Sequence, residues 1–117
     1  MSNNTAIEVF LRLRPTKRGI SQFEIENNKL TFQNIRLQKN QDLINNNRRE
    51  YSYQFNEIFG YETHQEEIFD KIGKGVVDQA LKGINGTIFA YGQSGSGKTF
   101  TITGGNERYK DRGIEIY

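Results

Sequence analysis

Tyr91 to Gly105 reads YGQSGSGKTFTITGG. Within it, Gly92-Gln93-Ser94-Gly95-Ser96-Gly97-Lys98-Thr99 matches G-x-x-x-x-G-K-S/T at every fixed position, the pattern of a loop that wraps a nucleotide's phosphates. At this chain's residue frequencies the pattern arises by chance about once per hundred chains of this length, so the flanking segments decide its meaning. A phosphate loop leaves a strand and enters a helix. Upstream, Thr87-Ile88-Phe89-Ala90-Tyr91 is a short apolar run between Gly86 and Gly92, which predicts a strand buried on both faces, as parallel strands are under helices. Downstream, Lys98 to Thr103 can begin a helix whose first amides lack carbonyl partners and, with the helix dipole, favour an anion. The glycines permit positive φ and close backbone approach to phosphate oxygens. In that geometry Lys98 brings charge to the β- and γ-phosphates and the Thr99 hydroxyl is a ligand of Mg²⁺, which makes Mg·ATP or Mg·GTP the first ligand to consider.

Working outward, the 117 residues suffice for one small domain and are too few for two. The net charge is +2, with Lys and Arg interspersed among Asp and Glu, a balance that points to neither nucleic acid nor an anionic membrane. With no cysteine, neither disulfides nor thiolate metal sites are available. The N-terminus carries no basic segment followed by an apolar core, so a cytoplasmic setting is expected.

Ile7, Val9, Leu11 and Leu13 alternate with Glu8, Phe10, Arg12 and Arg14, the period of a half-buried strand that Pro15 stops. Phe23 to Glu26 and Lys29 to Phe32 flank Asn27-Asn28, a hairpin turn. Residues 34–50 turn polar and predict a solvated loop; Tyr51, Tyr53 and Phe55 then alternate as a short strand. Thr63 followed by Glu66 predicts a capping box, and Ile68, Phe69, Ile72, Val76, Ala80 and Ile84 recur at helical spacing until Asn85-Gly86. His64, the only histidine, has no second ligand type nearby and is expected at the surface. Glu66 and Glu67 are adjacent on a helix and do not face one another, so dipole stabilisation explains them better than acid/base work. Arg12-Leu13-Arg14-Pro15 is bland alone, but beside a phosphate loop a guanidinium and a proline ring offer surfaces on which adenine can stack.

These residues carry a family resemblance. IEVFLRLRP, then YSYQFNEIFGYETHQEEIFDKIGKGVVDQALKGINGTIFAYGQSGSGKTFTITGG, resembles the N-terminal part of a kinesin motor domain, and the block IFAYGQSGSGKTFTITGG is specific to that family. TGGNERYKDRGI is similar to the ninth kinesin class, which is associated with cilia and flagella. The resemblance implies an α/β, P-loop NTPase-like fold with a central, mostly parallel sheet flanked by helices. Residues 1–117 would be the N-terminal portion of a single motor domain, with no second domain. It implies an ATPase that moves along microtubules, with ATP and tubulin as partners and the cytoskeleton as its place. Arg12, Arg14 and Pro15 would form the adenine edge, Gly92, Gln93, Ser94, Gly95, Ser96, Gly97, Lys98 and Thr99 would bind the phosphates and Mg²⁺, and Phe100 would lie near the base. Ser94 departs from the usual threonine and keeps the hydroxyl. After Ile114 the sequence departs further, with Glu115-Ile116-Tyr117 where similar motors continue into Ile-Pro-Arg. Switch I, switch II with its Asp-Leu-Ala-Gly core, and the tubulin-gripping helices have no counterpart in these residues, so no catalytic residue is assigned, the chain alone is expected to be inactive, and open strand edges are expected. Val76-Val77-Asp78 and Ile68-Phe69-Asp70 fall inside the helix before the loop and are unsuited to hold Mg²⁺. Two other readings stand beside this one: another P-loop enzyme, such as a GTPase or nucleotide kinase, and a non-catalytic nucleotide-binding fragment. Against a GTPase, Asn28-Lys29 lacks the following Asp of a guanine-specificity motif.

Overall fold

A computed structural model describes residues 7–16, 23–33 and 50–105. The polar loop expected over 34–50 lies outside the described residues except for Glu50, which opens a strand. The chain divides into two compact units, Met1–Tyr61 and Glu62–Tyr117.

Among the described residues the first unit holds five strands: β1 (Phe10–Arg12), β2 (Phe23–Glu26), β3 (Lys29–Gln33), β4 (Glu50–Gln54) and β5 (Glu57–Phe59). β1 and β5 pair in parallel, with Leu11 opposite Ile58. β2, β3 and β4 form an antiparallel sheet. The hairpin turn is where the sequence puts it. Asn27 and Asn28 both adopt positive φ, 50° and 60°, the conformation of a two-residue turn that matches strand twist and that asparagine tolerates. Strand register then sorts the side chains: Phe23, Phe32 and Tyr51 align across the sheet, as do Ile25, Leu30 and Tyr53, all on one face. On that face Phe32 stacks on Tyr51 at 5.2 Å and on Tyr53 at 6.0 Å. The opposite face is polar, with the Thr31 and Ser52 hydroxyls 2.8 Å apart.

Asn28 also ties this sheet to β5. Its Oδ1 accepts from Ile58 N–H at 3.2 Å, its Nδ2 donates to the Asn56 carbonyl at 3.3 Å, and its own carbonyl accepts from Phe55 N–H at 2.9 Å. Asn56 in turn exchanges two bonds with Val9, both 2.8 Å, one through its side chain. That side chain replaces the next rung of the ladder, which is why β1 is shorter than the alternation over residues 7–13 predicts: β5 offers three residues, and Ile7 and Val9 stay exposed. Phe59 is buried and stacks on Phe10 with centroids 6.1 Å apart.

In the second unit the expected long helix is three pieces: α1 (Gln65–Ile68), a π-helical turn (Phe69–Gly73) and α2 (Lys74–Leu81). The predicted capping box does not form. His64, extended at φ −80° and exposed, is the N-cap and makes no side-chain cap bond, so Glu66 falls one position short of the place a capping box needs. Glu66 and Glu67 do lie in the first turn, where the helix dipole favours them. The π-turn coincides with a glycine: a Cβ on Gly73 would stand 2.6 Å from the Phe69 ring, so only glycine lets that ring lie against the helix. Ile68 is buried, Ile72 and Val76 are half-buried, and Phe69, Ala80 and Ile84 are exposed.

The helix also ends earlier than Asn85-Gly86. Gly83 at φ +81° donates to the Ala80 carbonyl and Ile84 to that of Gln79, both at 3.0 Å, the paired bonds of a Schellman cap. Gly86 has a different use: a Cβ there would lie 2.6 Å from Val76 Cγ1, so it lets the chain pass close over α2. The strand predicted at Thr87–Tyr91 is absent. The segment is irregular, Phe89 and Tyr91 are exposed, and no strand pairs with it among the described residues. An apolar run states a preference for burial, but a strand exists only where a neighbour completes its hydrogen bonds. Helix α3 (Lys98–Thr103) forms where predicted.

Candidate functional site

The loop between the apolar run and α3 is shaped by its own short contacts. Ser96 N–H donates to the Gln93 carbonyl at 3.1 Å, closing a turn. Gly95 and Gly97 carry φ of +77° and +101°, left-handed conformations costly for any residue with a Cβ. At Gly92 the demand is steric, since a Cβ would stand 2.5 Å from Ser96 Oγ. Gly97 is the N-cap of α3, and its carbonyl accepts the first helical bond, from Thr101 N–H at 2.9 Å. At the far end Gly104, φ +82°, donates to the Phe100 carbonyl at 2.8 Å. The Phe100 ring lies over Gly105, where a Cβ would approach it to 2.8 Å.

Lys98 curls back over this loop. Its ammonium donates to the carbonyls of Gly92 at 2.7 Å and Gln93 at 2.9 Å. An ammonium has three N–H donors, and the third has no partner among the described residues. The two carbonyls fix the charge at the mouth of the turn. A half-buried cation with one donor to spare, set among backbone amides curled by left-handed glycines, is a donor set that fits a phosphate group. Thr99, the residue expected to reach Mg²⁺, is exposed, as are Gln93 and Ser94. Asp70 lies in the π-turn and Asp78 in α2, both within helical backbone. Among the described residues no group of three His, Cys, Asp or Glu side chains could hold a metal on its own.

Gly92 to Phe100 therefore come together in the second unit, while Arg12, Arg14 and Pro15 belong to the first. Arg12 ends β1 half-buried, and that burial lowers its pKa from the usual value because desolvation disfavours the charged form; the guanidinium remains protonated. Arg14 and Pro15 follow it, both exposed. Sequence reasoning passed over Gln65, whose Nε2 donates to the Thr101 carbonyl in α3 at 2.7 Å. The available signal was its place three residues before Ile68, a polar residue on the apolar side of the helix.

Known proteins share this combination of elements. The kinesin motor domain pattern matches residues 12–116. Kinesin-like protein KIF9 of Mus musculus is 34% identical over 116 residues, covering 97% of this chain and 15% of that protein. Kinesin-like protein KLP1 of Chlamydomonas reinhardtii is 35% identical over 113 residues, 93% of this chain and 14% of that one. Among solved structures, KIF14 with ADP in complex with a microtubule superimposes with a TM-score of 0.67 at 24% identity, covering 88% of this chain and 29% of that chain; at that identity it supports the fold alone. The chain thus spans about one seventh of the length of the curated relatives KIF9 and KLP1. With the pattern matched from Arg12 almost to the last residue, in relatives and in fold alike, this chain belongs to the kinesin motor domain family.

Proposed function

We propose that residues 1–117 are the N-terminal portion of a single kinesin motor domain, that Gly92 to Thr99 bind the phosphates of Mg·ATP, and that the bound nucleotide serves ATP-driven movement along microtubules. The observation that carries this reading is Lys98, whose ammonium is held by the Gly92 and Gln93 carbonyls with one donor that has no partner among the described residues. Mg²⁺, when bound, neutralises charge on the β- and γ-oxygens. The chain's own residues do the rest: the loop amides hold phosphate oxygens, Lys98 supplies a fixed positive charge, and Thr99 presents a hydroxyl to the metal. In the first unit Arg12, Arg14 and Pro15 offer surfaces of the kind on which adenine stacks, and in the second Phe100 directly follows the loop; a modest preference for ATP over GTP is expected. Phosphoryl transfer also needs a group that orients water and a carboxylate beside the metal. The sequence holds no Asp-Leu-Ala-Gly motif, and of its three aspartates upstream of the loop Asp70 and Asp78 sit in helical backbone, while Asp42 lies outside the described residues. The 117-residue chain therefore binds nucleotide without turning it over. Its place is the microtubule cytoskeleton, and the similarity to KIF9 and KLP1 extends the proposal to cilia.

Lys98→Ala decides the central claim. Removing the charge costs about a hundredfold or more in affinity for a fluorescent Mg·ATP analogue, since charge-assisted bonds to phosphate are the strong ones. Unchanged affinity in an equilibrium titration rejects the assignment, and tighter binding of GTP than ATP in competition turns it toward a different P-loop enzyme.

A further inference from the structure

We propose that Gln65 is a positioning residue for the phosphate loop, acting through the carbonyl of Thr101; the proposal rests on the nucleotide-binding reading of Gly92 to Thr99. Gln65 is the first residue of α1, half-buried, and it reaches α3 across 36 positions of sequence with a 2.7 Å hydrogen bond. Its partner matters. Thr101 is the residue whose N–H closes on the Gly97 carbonyl at 2.9 Å, the first helical bond after the loop. One residue thus takes the loop's last glycine on its amide and Gln65 on its carbonyl. Moving Thr101 moves Gly97 and the amides around it.

The need for an outside hold follows from length. Helix α3 has six residues, far short of what holds together unaided in water. Its internal bonds, Thr103 Oγ1 to the Thr99 carbonyl at 2.7 Å and Gly104 N–H to that of Phe100 at 2.8 Å, fix its shape and not its place. The Gln65 bond supplies a place, because α1 is anchored by buried Ile68 one turn further on. The chemistry is also specific. A carbonyl oxygen needs a donor, so the amide nitrogen of Gln65 must face Thr101, and glutamate, with the same shape, cannot substitute while ionised.

That isostere gives the test, made on the full 117-residue chain. At pH 8, Gln65→Glu sets a carboxylate against a carbonyl oxygen. The expected results are affinity for a fluorescent Mg·ADP analogue lowered about tenfold and faster amide exchange through 95–104, with exchange in 74–81 unchanged. The neutral carboxyl can donate to the Thr101 carbonyl, so the affinity relative to wild type recovers as pH falls toward 5.5; Gln65→Leu, which keeps bulk without a donor, shows the loss and no recovery. A role in packing alone would not produce that difference between the two pH profiles. Binding within twofold of wild type in Gln65→Glu, while Lys98→Ala has lost it, overturns the inference and leaves the nucleotide reading standing. If Lys98→Ala binds as wild type does, the nucleotide reading fails. Exchange then decides the anchoring of α3, and wild-type protection of 95–104 in Gln65→Glu overturns it.

Discussion

The antiparallel sheet of the first unit and the Thr87–Tyr91 run of the second are both strand-like in sequence, and only one is a strand. β2 and β3 face each other across a two-residue turn, so each rung of the ladder follows from the one before, and β4 adds on in register. Thr87–Tyr91 has the stronger apolar signal and no strand paired with it among the described residues, and its backbone is irregular. Apolarity states what a segment gains by burial. Pairing is a property of two segments, and the sequence of one cannot supply the other.

Substitutions can break this contrast. The largest effect belongs to Phe59, 2% exposed and stacked on Phe10: Phe59→Ala should cost about 3–5 kcal/mol in urea unfolding of the intact chain, as large-to-small changes in a core do. An effect below about 1 kcal/mol would mean that β1 and β5 are not a packed pair. Next comes Asn28, where turn and tie to β5 coincide. Asn28→Ala loses two side-chain hydrogen bonds and strains a positive φ, for about 2–3 kcal/mol, whereas Asn28→Gly keeps the turn and loses only the bonds, for about 1 kcal/mol. Equal losses would show that the backbone conformation contributes little. The smallest effect is expected at Phe89, 78% exposed in the unpaired run: Phe89→Ser should shift stability by less than about 0.5 kcal/mol. A loss comparable with that of Phe59→Ala would show that the run is packed as a strand after all.

The same contrast explains what was legible beforehand. Features set by neighbours in sequence were readable: the Asn27-Asn28 turn, α3, the acidic first turn of α1, and the spacing of glycine and lysine around the loop. In that loop each glycine answers a local demand, a left-handed φ at Gly95 and Gly97 and the nearby Ser96 side chain at Gly92, so a motif is enough to describe it. The Schellman cap at Gly83 was also local, and the later Asn85-Gly86 masked it as a stop signal. Features set by distant partners were not readable. The Gln65 to Thr101 bond spans 36 residues, and the bonds from Asn28 to Ile58 and Asn56 span about 30. The capping box failed by a single position, because Thr63 and His64 compete for one role and the helix starts after His64.

The π-turn at Phe69–Gly73 carries a consequence for how this stretch can change over generations. A π-turn is an α-helix that has accepted one residue too many, looping the surplus out while the segments on either side keep their facing. Elsewhere in a helix, losing one residue turns everything beyond it by about 100° and buries the wrong side chains. Between Phe69 and Gly73 the same loss would remove the surplus and leave an unbroken α-helix, with Ile68 and Val76 still presenting the sides they present now. A one-residue deletion that would misface the helix a turn away is thus absorbed here, and one-residue length differences among related sequences should gather at this point in the helix.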